Sequence, residues 1–302
     1  MVSQQANDQT GQGGLAAALG AYLLWGFLPL YLILVSSVPA LEFVGWRILW
    51  TVPVCLLLIA LRRQWPAVVE ALTNIRVLKW LAVSAALIGA NWLIYIWAIY
   101  EGYVYAASMG YYLNPMLNVL LGTVFLGEKL SRRQWLAVAI ATASIASLLL
   151  GALSTLWITL SLAGTFGFYG LVRKQVPVGA VPGLTIESIL LSLPSLLIIW
   201  WYAQSPAGSS FGQELSISLL IMVGGVVTAI PLLLFAIAAR RMAYSTLGFI
   251  QFLAPTIVFI LGLTVFDEQL ESAELGAFVL IWIAIAIFVS DLFAKRSARA
   301  EA

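Results

Sequence analysis

Val104–Leu130 reads VYAASMGYYLNPMLNVLLGTVFLGEKL, and Tyr244–Leu270 reads YSTLGFIQFLAPTIVFILGLTVFDEQL. Each is a long apolar run with a proline near its middle and its acids at the far end. Pro115, Gly122 and Glu128 of the first are answered by Pro255, Gly262 and Glu268 of the second, always 140 residues later. Self-similarity at so long a period marks an internal duplication. The apolar length of each copy marks the duplicated unit as one built for a bilayer.

Composition agrees with that reading. Of 302 residues, 62% are hydrophobic and 9% charged, with mean hydropathy +1.01. A soluble domain of this size has roughly a quarter of its residues charged. There is no histidine, and Cys55 is the single cysteine. Histidine/cysteine metal sites, a Ser-His-Asp triad and an intrachain disulfide are therefore excluded by inventory. Met1–Gly13 is polar and has no Lys or Arg, so Gly14–Val35 is expected as a retained span, not a cleaved signal. No glycine-rich loop followed by Lys-Ser/Thr exists, which excludes ATP hydrolysis, and no catalytic set, metal site or cofactor site emerges.

Ten apolar segments are expected: 14–35, 42–61, 80–99, 104–125, 134–151, 154–172, 184–201, 218–238, 244–265 and 274–293. Unpaired backbone is costly in hydrocarbon, so each is expected to be a helix and the chain an all-α integral membrane protein. Fourteen of the fifteen Lys and Arg fall in alternate connections and the C-terminal tail; only Arg47 remains, inside the second span. The positive-inside rule places both termini in the cytoplasm. Two halves follow, 14–151 and 154–293. Five spans is an odd number, so the second half enters the membrane from the opposite side, giving two inverted five-helix repeats. Inverted repeats are a common plan of secondary transporters, whose halves exchange conformations around a central site.

The connections are too short for an extramembrane domain, so a solute site has to lie among the helices. Tyr111, Asn114, Pro115 and Asn118 share one face of the fourth span by their spacing. Gln251 occupies the position in the second copy equivalent to Tyr111. Asn91 and Tyr95 lie one turn apart in the third span, Tyr22 and Trp25 in the first, and Tyr169 answers them in the sixth. These nine residues are the candidate cavity lining: aromatic faces and amides with almost no charge. Such a lining suits a small, partly apolar solute, and the alternative is interhelical packing glue. Arg47 and Glu187 are the charged residues within spans and the candidate gating pair of sites. Arg47 is expected either to pair with Glu42 or Glu101 or to meet a substrate carboxylate, and Glu187 to pair with Arg173 or Arg240. Pro29, Pro115, Pro231 and Pro255 are expected helix breaks.

Gly89-Ala-Asn91-Trp92, Ser108-Met-Gly110-Tyr-Tyr-Leu-Asn114-Pro115, Phe125-Leu-Gly-Glu128 and Phe168-Tyr-Gly-Leu-Val-Arg173-Lys174 resemble the drug/metabolite transporter superfamily, and within it the EamA group and its RarD-like branch. The second copy departs with Phe266-Asp267-Glu268 and with Ala254 in place of the asparagine. The resemblance implies ten helices in inverted repeats, a central cavity and alternating access. It also implies a carrier in the bacterial cytoplasmic membrane whose relatives export aromatic and other amino acids, some bearing a chloramphenicol-sensitivity label. The expected partners are the bilayer and a small solute, without nucleic acid, and a monomer suffices. A drug efflux carrier and a passive solute channel are the alternatives.

Overall fold

A computed structural model of the chain describes residues 2–101, 103–265 and 272–300, and all regular structure among them is helical. The elements are α1 (Val2–Gly26), α2 (Leu28–Leu34), α3 (Ala40–Leu61), α4 (Trp65–Thr73), α5 (Ile75–Tyr100), α6 (Val104–Phe125) and α7 (Arg132–Leu149). A 3₁₀ turn at Leu150–Thr155 leads to α8 (Leu156–Gln175), α9 (Ala180–Ala203), α10 (Leu215–Arg241), α11 (Tyr244–Gln251), α12 (Leu253–Thr264) and α13 (Ser272–Ala300).

Eight stretches among the described residues are long and apolar enough to cross a membrane. The two other expected spans, 104–125 and 134–151, are helical as α6 and α7. Asn114 and Asn118 lower the hydropathy of α6, and the Arg132-Arg133-Gln134 start lowers that of α7. Burial is inverted relative to a soluble protein. Leu193, Leu197 and Trp200 on one face of α9 are 58–68% exposed, whereas Glu42, Asn114, Asn118 and Arg173 are fully buried. Apolar side chains facing outward cost nothing in lipid, while polar ones have to turn inward to find partners.

Of the four expected helix breaks, those at Pro29 and Pro255 fall at interruptions, and those at Pro115 and Pro231 need correction. The first and ninth spans are each two helices, interrupted at Phe27 and Phe252. Pro29 and Pro255 follow in the first turns of α2 and α12, where a missing N–H is tolerated but a bond back across the junction is impossible. At Pro115 and Pro231, by contrast, the helix runs on through α6 and α10. Each proline there forfeits one bond, to the carbonyl of Tyr111 or Val227, and the surrounding turns hold. Glu268, the expected counterpart of Glu128, lies outside the described residues.

The chain divides into two compact units, Met1–Trp97 with Phe168–Met242, and Ala98–Gly167 with Ala243–Ala302. In the first unit α3 packs on α9 and α10, and α1 packs on α10. Glycines permit these approaches: a Cβ at Gly45 would sit 3.3 Å from the Ser195 carbonyl, and one at Gly225 would collide with the Trp50 backbone. In the second unit α7 packs on α13 and α6 on α11. Its core centres on Phe249 and Phe288, stacked with centroids 3.8 Å apart, among Ala137, Ala141 and Ala284.

Candidate functional site

The second unit brings together the two stretches that echo one another in sequence. Gly248 of α11 lies against α6, where a Cβ would stand 2.7 Å from the Pro115 carbonyl and 3.0 Å from Asn118 Cβ. At that contact Asn118 Nδ2 donates to Gln251 Oε1 at 2.8 Å, both side chains being buried. One turn earlier on α6, Asn114 is fully buried, and neither its Nδ2 nor its Oδ1 is hydrogen-bonded; Asn118 Oδ1 also lacks a partner. Tyr111 is half-buried on the same helix.

The glutamate of the first echo has a structural task in the same unit. Gly127 adopts φ +65° and turns the chain back after α6, so that the Glu128 N–H bonds the Gly122 carbonyl at 3.0 Å. The Glu128 carboxylate then accepts the N–H groups of Tyr244 at 2.6 Å and Ser245 at 2.9 Å, and the Ser245 hydroxyl at 2.6 Å. Those amides open α11, so the acid satisfies orphan donors where the helix dipole favours a negative charge. Gly122 leaves the room, since a Cβ there would meet Glu128 Oε2 at 2.7 Å.

The first unit holds the aromatic candidates and both intramembrane charges. Tyr22 and Trp25 of α1 lie 5.6 Å apart, and both meet Phe235 of α10; Tyr169 of α8 stacks on the same ring at 6.0 Å. Phe235 is thus the hub of the cluster, and the sequence reading passed over it. Its position one turn after Pro231 was the available signal. Asn91 and Tyr95 lie one turn apart on α5, with Asn91 buried.

Glu187 of α9 is 1% exposed and pairs with the fully buried Arg173 of α8, Oε1 to Nη1 being 3.6 Å. Ser84 of α5 donates to the same Oε1 at 2.6 Å, while Oε2 has no hydrogen bond. The Arg173 guanidinium lies on Gly183, where any Cβ would collide with it, and Nη2 reaches the Ala180 carbonyl at 3.2 Å. Nearby, Lys174 donates to the Ala239 and Met242 carbonyls at the end of α10, and Arg240 donates in return to those of Val176 and Val178. A narrow cleft opens beside Glu187, lined also by Thr51, Trp92, Ser188 and Thr228 with aliphatic neighbours.

Arg47 is half-buried, its guanidinium carbon 4.6 Å from the centre of the Trp92 ring. The Glu42 carboxylate accepts Ser209 Oγ, Ser210 N and Ser210 Oγ at 2.5–2.8 Å and Trp46 Nε1 at 3.2 Å. These bonds fasten the connection between α9 and α10 to the start of α3, with Phe211 stacked on Trp46 at 4.4 Å. No group of three or more metal-ligating side chains occurs among the described residues.

Residues 12–150 match the EamA-like transporter family. The protein RarD of Salmonella typhimurium is 42% identical over 94% of this chain and 96% of its own length. The chloramphenicol-sensitive protein RarD of Pseudomonas aeruginosa is 29% identical over 91% and 93%. A solved crystal structure with 20% identity superimposes over 92% of this chain and 97% of its own, with a TM-score of 0.72, which shows a shared fold. The chain belongs to the EamA-like transporters of the drug/metabolite transporter superfamily, on the RarD branch, and is a multi-pass transporter of the bacterial inner membrane, not an enzyme.

Proposed function

We propose that the protein is a secondary transporter that exports small metabolites, foremost amino acids including aromatic ones, by alternating access. Residues 14–151 and 154–293 are its two oppositely threaded five-helix repeats. The observation that carries the reading is Asn114, a fully buried carboxamide with neither end bonded, one turn from the Asn118–Gln251 bond. An amide held without partners in an apolar setting costs on the order of 1–3 kcal/mol. A solute offering donors and acceptors relieves that cost when it binds. The half-buried Tyr111, on the same helix as Asn114, supplies an aromatic face for its body.

Counterflow in proteoliposomes tests the mechanism. Labelled phenylalanine is expected to accumulate transiently against an internal pool of unlabelled phenylalanine; a passive channel shows no such overshoot. Asn114→Ala, Asn118→Ala and Gln251→Ala are expected to cut transport more than membrane abundance, and equal losses would assign these amides to packing. Cysteines at positions 128 and 268 are expected to react with impermeant reagents from opposite faces of the membrane. Reaction from one face would remove the inverted repeat. The name of the Pseudomonas aeruginosa relative supports a second reading, drug efflux, in which chloramphenicol competes with the transported solute.

A further inference from the structure

Cations near the helix ends of the first unit fall into two kinds. Arg173, Lys174 and Arg240 are spent inside the protein, on Glu187 and on backbone carbonyls. Arg62, Arg63, Arg76 and Lys79 flank α4 and are exposed, and their side chains make no hydrogen bond or ion pair among the described residues. The positive-inside rule accounts for the face of the membrane they occupy. It does not account for their arrangement.

Arg63 is held at a cost. After α3 ends at Leu61 the chain turns by placing Arg63 at φ +52°, with the Gln64 N–H on the Ile59 carbonyl at 3.0 Å. Glycine is the ordinary choice at this position, because a Cβ resists the left-handed backbone. Arg63 is the one non-glycine residue with positive φ among the described residues, and no side-chain bond within them offsets the strain. Its guanidinium is left with every donor unused.

The helix that follows has an apolar arc wider than the protein covers. Val68 and Ala71 are buried where α4 packs on α9. Trp65, Val69 and Leu72, at i, i+4 and i+7, form the adjoining stripe and are 46–58% exposed. Nine residues make α4 about 14 Å long, too short to cross a bilayer core, so a helix of this pattern lies along the interface. Asn74 Oδ1 accepts the Arg76 and Val77 N–H groups at the corner where α5 begins, and Arg76 and Lys79 share a face of α5 beside the exposed Trp80. An apolar stripe with two cations at each end and one acid between them, Glu70, matches a molecule that is apolar in its body and anionic at its head. Phosphate forms charge-assisted bonds to guanidinium, and acyl chains cover the stripe.

We propose that α4 with Arg62, Arg63, Arg76 and Lys79 is a binding site for anionic phospholipid, which braces α3 and α5 against α9. The experiment uses full-length protein in neutral detergent, titrated with phosphatidylglycerol or phosphatidylcholine; bound lipid is counted by mass and stability is read by thermal unfolding. Phosphatidylglycerol is expected to bind about tenfold or more tightly than phosphatidylcholine, with the preference weakening as salt is raised. Inorganic phosphate should not displace it, since phosphate alone leaves the stripe uncovered; displacement would overturn a lipid as the occupant. Replacing Arg62, Arg63, Arg76 and Lys79 together by Gln should abolish the preference. Replacing Lys129, Arg132 and Arg133 by Gln, in a connection without an interfacial helix, should leave most of it. Equal losses in the two variants would reduce the effect to general surface charge and overturn the site. Arg63→Gly removes strain and charge together, so stability without lipid should hold or rise while phosphatidylglycerol affinity falls severalfold. Lower stability with unchanged affinity would make Arg63 a folding residue and overturn its part in the site.

Discussion

Glu128, just past the end of α6, and Glu187, within α9, are used in opposite ways by the two units. Glu128 saturates its oxygens with two backbone amides and a hydroxyl at the start of α11. Glu187 is more deeply buried, shares one oxygen between Ser84 and Arg173, and leaves the other without a hydrogen bond, on a side chain that lines a cleft. A satisfied acid holds two helices in register and has nothing left to offer a solute. A half-satisfied one beside a cleft costs stability and keeps binding capacity. Bond saturation, more than depth, separates the structural acid from the functional candidate.

Removing Glu187 should produce the largest loss. Glu187→Ala strands the fully buried Arg173 guanidinium without a counter-charge, at about 3–5 kcal/mol. Heated detergent extracts should show early aggregation and the membrane fraction little protein. Arg173→Met/Glu187→Leu should recover abundance, because an apolar pair of similar volume tolerates the same site. Transport should stay lost in the double variant. Full recovery of transport would make the pair structural and collapse the contrast with Glu128.

Glu128→Gln should cost less, about 1–2 kcal/mol, since a carboxamide oxygen replaces one bond to the α11 amides and loses the charge complementing the helix dipole. Transport corrected for abundance should be unchanged. A fall in transport corrected for abundance would show that the two acids are not of different kinds.

Much of this division could be read from the chain alone. The 140-residue echo, the alternation of basic connections and the length of the apolar runs identified a multi-span helical protein. The face formed by Asn114 and Asn118 is where the amide pair with Gln251 occurs. What could not be read were bonds made across long sequence separations. Glu128 looked like a motif letter until Tyr244 and Ser245 supplied their amides, 116 and 117 residues away. Ser84 shares the helical face of Ile88 and Asn91, but a lone serine carries no signal until Glu187 stands opposite it. The two helix interruptions were legible only as prolines. Pro115 and Pro231 show why that is insufficient: a proline deletes one bond, and whether the helix then breaks is decided by what packs around it.

Ser84→Ala tests the comparison on a finer scale. It removes the one hydrogen bond on the Glu187 carboxylate and leaves the ion pair with Arg173, so the loss should be about 1 kcal/mol. Thermal stability should fall by that amount, while phenylalanine transport corrected for abundance should hold. A gain in stability would show that the hydroxyl bond does not offset the burial of the acid.

The smallest effect is expected at a third acid, Glu42, which resembles Glu128 in being saturated. Ser209, Ser210 and Trp46 together give it four bonds, so Ser210→Ala removes one hydroxyl and keeps the Ser210 amide, Ser209 and the indole in place. The loss should be below about 1 kcal/mol, with phenylalanine binding unaffected. Its readout is local: a cysteine at Ala207, exposed on the same connection, should be labelled somewhat faster once the fastening is loosened. If Ser210→Ala instead lowered transport corrected for abundance, bond saturation would fail as the criterion.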